Sequence, residues 1–199
     1  KHYNEVVGSC KWSDIVVMSF HPVKPITTGE GGVALTNNKS FANTMKLLRT
    51  HGIEKNLSRK IKDNIGDWYY EHRELGYNFR LTNIQAALGV AQLEQLESFL
   101  ERKKNIFKKY NFEISEIEGL SIAKVPDYSN NNLWMILLQI DKEIYGEDKE
   151  KLMSRLNKKN IQTRPAWSPI HLQKPYQNCQ KYKIKFANRL VENSLCLPS

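Results

Sequence analysis

Three cysteines, at positions 10, 179 and 196, are too few and too irregularly spaced for a disulfide framework, and no histidine cluster joins them to suggest a zinc site. No apolar stretch approaches the roughly 20 residues that a membrane-spanning helix needs, and no signal-like apolar run opens the chain. The expectation is therefore a chain with no bound metal, no membrane contact and a cytoplasmic location. A phosphate loop of the Walker type is missing as well: the glycines near Lys24 follow it, and no Gly-Lys-Ser/Thr occurs there. Internal repeats and low-complexity tracts are also lacking.

Acidic charge is in short supply. Lys and Arg outnumber Asp and Glu by 30 to 21, a net charge of +9. An excess of this kind invites a nucleic-acid reading. The basic residues, however, are dispersed as Arg102-Lys103-Lys104, Lys108-Lys109, Lys158-Lys159 and Lys181, Lys183 and Lys185, with no recognised nucleic-acid motif among them. They read as solvated helix faces, and no nucleic-acid partner is expected. With 199 residues, 40% of them hydrophobic, the chain has material for one or two domains.

What the chain does have is a lysine in an unusual setting. Ser19-Phe20-His21-Pro22-Val23-Lys24-Pro25-Ile26-Thr27-Thr28-Gly29-Glu30-Gly31-Gly32 lies between Ile15–Met18, which reads as a short buried strand, and Val33–Thr36, which reads as another. Pro22 and Pro25 fix their own φ, and Pro25 pushes Lys24 toward extended backbone. Gly29, Gly31 and Gly32 permit positive φ or close backbone approach. A lysine so constrained suits nucleophilic chemistry if its amine is partly desolvated or lies near another cation. Residue types alone favour an exposed lysine in an ordinary Pro/Gly loop. Ser19, at the strand exit, could offer its hydroxyl to an anion.

Further along, Asn38-Lys39-Ser40 opens an amphipathic helix carrying Phe41, Met45 and Leu48 and ending near His51-Gly52. Positions 53–74 are polar and irregular, with an aromatic cluster at Trp68, Tyr69 and Tyr70; loops of this length are functional, mobile or simply pinned to the surface. Thr82-Asn83-Ile84-Gln85 has capping-box spacing, and one long helix is expected to follow, with Ile84, Leu88, Ala91, Leu96, Phe99, Ile106 and Tyr110 as a packing stripe. Beyond it, strands at Leu120–Ala123, Leu133–Leu138 and Ile161–Thr163 with a helix over Glu147–Leu156 describe an α+β unit. The domain boundary is expected near residue 100, within the long helix, giving units 1–100 and 101–199.

Two blocks carry a resemblance. Ser-Phe-His-Pro-x-Lys-Pro-Ile-Thr-Thr-Gly-Glu-Gly-Gly closely resembles the Schiff-base segment of the pyridoxal-phosphate sugar aminotransferases, the DegT/DnrJ/EryC1/StrS family. The stretch from Leu75 to Gly89, with Gly76-Tyr77-Asn78-Phe79-Arg80 at its start, is similar to that family's Gly-Tyr-Asn-x-Arg segment and following helix. The similarity continues through Arg164-Pro165-Ala166-Trp167 and His171, covering essentially the whole chain.

The resemblance implies an α/β, fold-type I transferase, of which this chain matches the C-terminal part of the large domain and the small domain, incomplete at its end. Pyridoxal 5'-phosphate is the implied cofactor, with Lys24 as its covalent attachment and proton-transfer base, and Ser19 on its phosphate. Asn78 matches the asparagine that reaches the phosphate from a neighbouring subunit, implying a homodimer with shared sites; from residue type alone it is a turn residue. Arg80 supports the same phosphate or pins the loop. His171 either contacts the sugar nucleotide or makes a structural hydrogen bond.

The implied reaction moves an amino group from a donor, usually glutamate, to a keto group of a nucleotide-linked sugar. The Lys24 segment is most similar to transaminases of the pseudaminic acid pathway, and Gly76 to Ser199 at least as similar to those of the bacillosamine and legionaminic acid pathways, so a UDP-linked sugar is the common denominator. Lys24 also separates the chain from the deoxygenating branch, which has histidine there. The family's N-terminal half, with the aspartate on the ring nitrogen and the stacking aromatic, is not found; Asp14 does not take that aspartate's place. An inactive fragment, or a half-subunit completed by a separately encoded half, is therefore the alternative expectation.

Overall fold

The computed structural model describes residues 1–53 and 72–199. The expected aromatic cluster at Trp68, Tyr69 and Tyr70 lies outside the described residues. The chain divides into two compact units, Lys1–Leu96 and Glu97–Ser199.

In the first unit, β1 (Val16–Ser19) and β2 (Gly32–Leu35) form a two-stranded antiparallel sheet in which Met18 faces Val33 and Ser19 faces Gly32. The apolar run around β1 is not buried as expected. Its residues alternate between half-buried and exposed, and Val17 is 76% exposed, because neighbouring strand residues point to opposite faces and the described residues leave one face open. Helix α1 (Lys39–Leu48) starts where Asn38 Oδ1 accepts from the amides of Ser40 and Phe41. It stops before His51 (φ 58°) and Gly52 (φ 68°), whose left-handed backbone cannot continue it.

The expected single long helix is two. Helix α2 spans Asn83–Glu94 and α3 spans Leu96–Ser115, with Gln95 (φ −101°, ψ 0°) between them. The capping box forms as expected: Gln85 N donates to Thr82 Oγ1 at 3.2 Å, and Thr82 N donates to Gln85 Oε1 at 3.0 Å. The expected packing stripe divides as well. Ile84 is 84% exposed and Leu88 42%, whereas Ile106 and Tyr110 pack on the core of the second unit.

The second unit is built on a four-stranded antiparallel sheet in which β3 (Leu120–Ile122), β4 (Ile136–Ile140), β6 (Ser194–Leu197) and β5 (Arg164–Pro165) lie side by side in that order. Strand β3 is Leu120–Ile122 and β4 is Ile136–Ile140, which begins later than the expected Leu133 because Leu133 itself has φ 53°. A short α4 (Lys142–Tyr145) ends in left-handed Gly146, and α5 (Lys149–Lys158) is capped by Asp148. The strand expected at Ile161–Thr163 forms instead at Arg164–Pro165 as β5, where pairing to Leu195 and Cys196 is available. Two 3-10 turns, Ile170–Leu172 and Lys174–Tyr176, lead to α6 (Lys185–Glu192). Strand β6 (Ser194–Leu197), which sequence pattern did not reveal, is an inner strand: it pairs with both β4 and β5. Ile122, Ile136, Leu138, Ile140, Leu152 and Leu195 form the core. No helix among the described residues is long and apolar enough to cross a membrane.

Candidate active site

The β1–β2 connection is tied onto one residue. Phe20 N donates to the Gly31 carbonyl at 2.9 Å, and the Phe20 carbonyl accepts from Thr28 N and from Thr27 Oγ1, each at 3.0 Å. Thr27 Oγ1 also accepts from Gly29 N at 2.9 Å, and buried Thr28 donates its hydroxyl to the Glu30 carbonyl at 2.8 Å. Two threonines thus spend their hydroxyls on shaping the loop. Gly29 (φ 79°) and Gly31 (φ 150°) supply the backbone it needs, and a Cβ on Gly31 would lie 2.6 Å from Thr28 Oγ1.

Lys24 sits within this frame. Its amide donates to the His21 carbonyl at 2.9 Å, closing a tight turn over Pro22 and Val23, and the residue is half-buried. Ser19, the last residue of β1, accepts at Oγ from His21 N at 3.2 Å, which leaves its hydroxyl proton to donate elsewhere. Glu30 turns toward His21, with Oε1 3.7 Å from Nε2. Ser19 and Lys24 are therefore brought into one braced loop.

Asn78 belongs to a second constellation in the same unit. The chain from Gly76 to Phe79 runs along the end of α1: Tyr77 N donates to Leu48 O at 2.6 Å, His51 N to Tyr77 O at 2.8 Å, and Phe79 N to Arg49 O at 3.0 Å. Gly76 and Gly52 meet so closely that a Cβ on Gly76 would lie 2.1 Å from Gly52 N. Asn78 Oδ1 accepts from Arg80 Nε at 3.1 Å, and Arg80 Nη2 donates to His51 Nε2 at 3.2 Å. Tyr77 and Phe79 stack with centroids 5.1 Å apart.

The Lys24 loop and α2, the helix after Asn78, are linked directly. Gln85, already engaged in the capping box, donates from Nε2 to the Glu30 carbonyl at 2.8 Å, and Gly89 passes so close to Thr28 that a Cβ there would be 2.9 Å from Thr28 Cγ2. The capping spacing identified Gln85 as a helix cap; its bond to Glu30 had no local signal. His51 was legible only as part of a helix stop. His171 lies in the second unit, half-buried in the 3-10 turn Ile170–Leu172. Nearby in that sequence, Trp167 is 5.5 Å from Trp134 between ring centroids.

The mixed helix and sheet architecture is that of the fold-type I pyridoxal-phosphate transferases. The chain belongs to the DegT/DnrJ/EryC1/StrS aminotransferase family, whose profile matches residues 2–199. It is 36% identical over 165 residues to a UDP-4-amino-4,6-dideoxy-N-acetyl-beta-L-altrosamine transaminase of Campylobacter jejuni, a match covering 83% of this chain and 41% of that protein. A GDP-perosamine synthase of Escherichia coli O157:H7 is 32% identical, with 100% of this chain and 50% of that protein covered. Helicobacter pylori PseC, an aminotransferase involved in the biosynthesis of pseudoaminic acid, superposes with a TM-score of 0.82 at 25% identity, over 100% of this chain and 50% of its own. The chain spans about half the length of the curated relatives it matches.

Aminotransferases of this family use pyridoxal phosphate. The residues present fit two ends of that group. A braced, half-buried lysine suits the aldehyde, and a serine whose hydroxyl oxygen accepts from His21 N, together with an asparagine whose carbonyl accepts from Arg80, suits the phosphate, since each keeps a donor proton uncommitted among the described residues.

Proposed function

We propose that this chain supplies Lys24, Ser19 and Asn78 to a pyridoxal-phosphate site that transfers an amino group, from glutamate, to a keto group of a UDP-linked deoxy sugar in bacterial surface amino-sugar biosynthesis. The observation that carries the reading is the braced loop: it holds the Lys24 backbone and the Ser19 hydroxyl in one short hydrogen-bonded frame, in a chain of this family.

When bound, the cofactor supplies the electron sink that makes a proton on the neighbouring substrate carbon removable. Lys24 Nζ would hold the aldehyde end, and as a free amine would serve as the base that moves this proton. Positioned acid/base catalysis of this kind is worth about 10²–10⁴ in rate. Ser19 Oγ of one subunit and Asn78 Nδ2 of its neighbour would donate to the phosphate, anchoring the group so that the reacting atom stays in reach of Nζ. His171 would contact the sugar nucleotide.

UDP is favoured over GDP by the stronger match to the altrosamine transaminase, although the GDP-perosamine synthase match covers more of the chain. A homodimer with shared sites is part of the proposal. It is supported by the exposed apolar residues Leu75, Tyr77, Phe79 and Ile84, which another polypeptide would cover. Half-length coverage of the relatives favours a second reading, in which this chain is inert alone and acts with a complementary half.

The test is to add pyridoxal phosphate to the purified chain, reduce with borohydride and map the modified peptide. Label on Lys24 supports the assignment. Absent label, or label scattered over surface lysines, refutes it. Glutamate-dependent amination of a UDP-linked keto sugar by the chain then separates the active reading from the inert one.

A further inference from the structure

We infer that Arg80 acts as a positioning residue for Asn78, occupying the Asn78 carbonyl so that its amide is turned outward as a phosphate donor, with His51 holding the far end of the guanidinium. This rests on the reading of Asn78 as a phosphate ligand.

An asparagine side chain has two nearly isosteric ends, and rotation by half a turn exchanges an acceptor for a donor. Backbone bonds on both sides of Asn78 hold the main chain against Leu48, Arg49 and His51, and Thr50 bridges Asn78 directly. They leave that rotation open. Arg80 closes it: guanidinium can only donate, so the atom that meets its Nε at 3.1 Å must be Oδ1, and Nδ2 is left facing the other way. The same rule orients His51. Its Nε2, 3.2 Å from Arg80 Nη2, must be the acceptor, so the neutral ring carries its proton on Nδ1.

His51 can serve as a fixed post because its own backbone is held at three points. Its amide donates to Tyr77, its carbonyl accepts from His72 Nδ1 at 2.7 Å, and its φ of 58° sits in the turn that ends α1. The relay from His51 through Arg80 to Asn78 therefore converts backbone geometry at the end of α1 into the orientation of one amide. Arg80 also places a permanent cation beside that amide, which favours an anion there.

The relay is read first without cofactor. In the 15N-labelled chain, one arginine Nε–H should exchange slowly with solvent, and that signal should vanish in Asn78→Ala. A wild-type chain lacking the protected proton overturns the inference. Affinity is then measured for pyridoxal phosphate and for pyridoxal, which has no phosphate. Asn78→Ala and Arg80→Gln should each weaken pyridoxal phosphate about tenfold, the scale of one charge-assisted hydrogen bond, and leave pyridoxal unchanged.

The double variant should be no weaker than Asn78→Ala, because Arg80 works only through Asn78. His51→Gln, which keeps an acceptor oxygen, should retain affinity that His51→Leu loses. Multiplying losses in the double variant would mean that Arg80 touches the phosphate itself. Loss of pyridoxal affinity as well would mean that it only scaffolds the loop. A protected proton in a wild-type chain that binds pyridoxal phosphate no more tightly than pyridoxal would refute Ser19 and Asn78 as phosphate ligands, and the inference would fall with them for that separate reason.

Discussion

Gln85 Nε2 donates to the Glu30 carbonyl at 2.8 Å, joining residues 55 apart in sequence. The first turn of α2 is in this way bonded to the loop that carries Lys24. Because Gln85 Oε1 also accepts from Thr82 N, one side chain both caps the helix and braces the loop.

Gln85→Glu separates these roles. A carboxylate still accepts from Thr82 N, so the cap survives, but it cannot donate to Glu30 and sets a charge against a carbonyl. The expected cost is about 1–2 kcal/mol in urea unfolding, with faster amide exchange in the 20–31 loop and unchanged helicity by circular dichroism.

Gly89→Ala tests a steric contact. In an exposed helix the change would be worth about 1 kcal/mol of stabilisation. Here the new Cβ would lie 2.9 Å from Thr28 Cγ2, and Thr28 is buried and hydrogen-bonded, so a net loss of stability is expected. Adding Thr28→Ser removes Cγ2 and should recover the loss, which a thermal melt of the single and double variants will read.

Lys24→Arg keeps the positive charge and should leave stability within about 0.5 kcal/mol, as for other substitutions outside the core. It should nonetheless abolish borohydride-fixed label at this position, because guanidinium does not deprotonate at working pH. A labelled peptide 20–31 in this variant would sink the assignment of the nucleophile.

The thiols should react in the order Cys179, Cys10, Cys196. Cys179 is exposed, Cys10 is half-buried with Sγ 3.2 Å from the Leu35 carbonyl, and Cys196 is buried in β6. Burial pushes the Cys196 thiol up, against a weaker opposing pull from Arg164. A raised folded pKa means that the stability Cys196 contributes is complete below its unfolded pKa and is lost as pH rises through the folded one. Timed alkylation with peptide mapping, at neutral and alkaline pH, checks both the order and the sign.

Leu195→Ala should destabilise the second unit by about 2–5 kcal/mol, since Leu195 is fully buried in an inner strand. Its neighbour Ser194 is equally buried, and its hydroxyl has no hydrogen-bond partner among the described residues. Ser194→Ala should therefore be neutral or stabilising, by up to about 1 kcal/mol. Denaturant melts should show a large loss for Leu195→Ala and none for Ser194→Ala.

Where local chemistry was decisive, the sequence alone determined the outcome. Asn38 and Thr82 cap their helices because short polar side chains reach their own backbone amides. His51-Gly52 ends α1, and the Pro- and Gly-marked segment around Lys24 is a strand-to-strand connection, since those residues restrict or free their own φ. The family, too, was legible from two contiguous blocks.

The tertiary structure decided whatever depended on distant partners. Ser194–Leu197 became an inner strand because β4 and β5 lie on either side of it, and nothing within four residues records those neighbours. The break at Gln95 carries no proline or glycine to announce it. The bonds from Gln85 to Glu30 and from Arg80 to His51 span dozens of residues, so only folding could bring their donors and acceptors within about 3 Å.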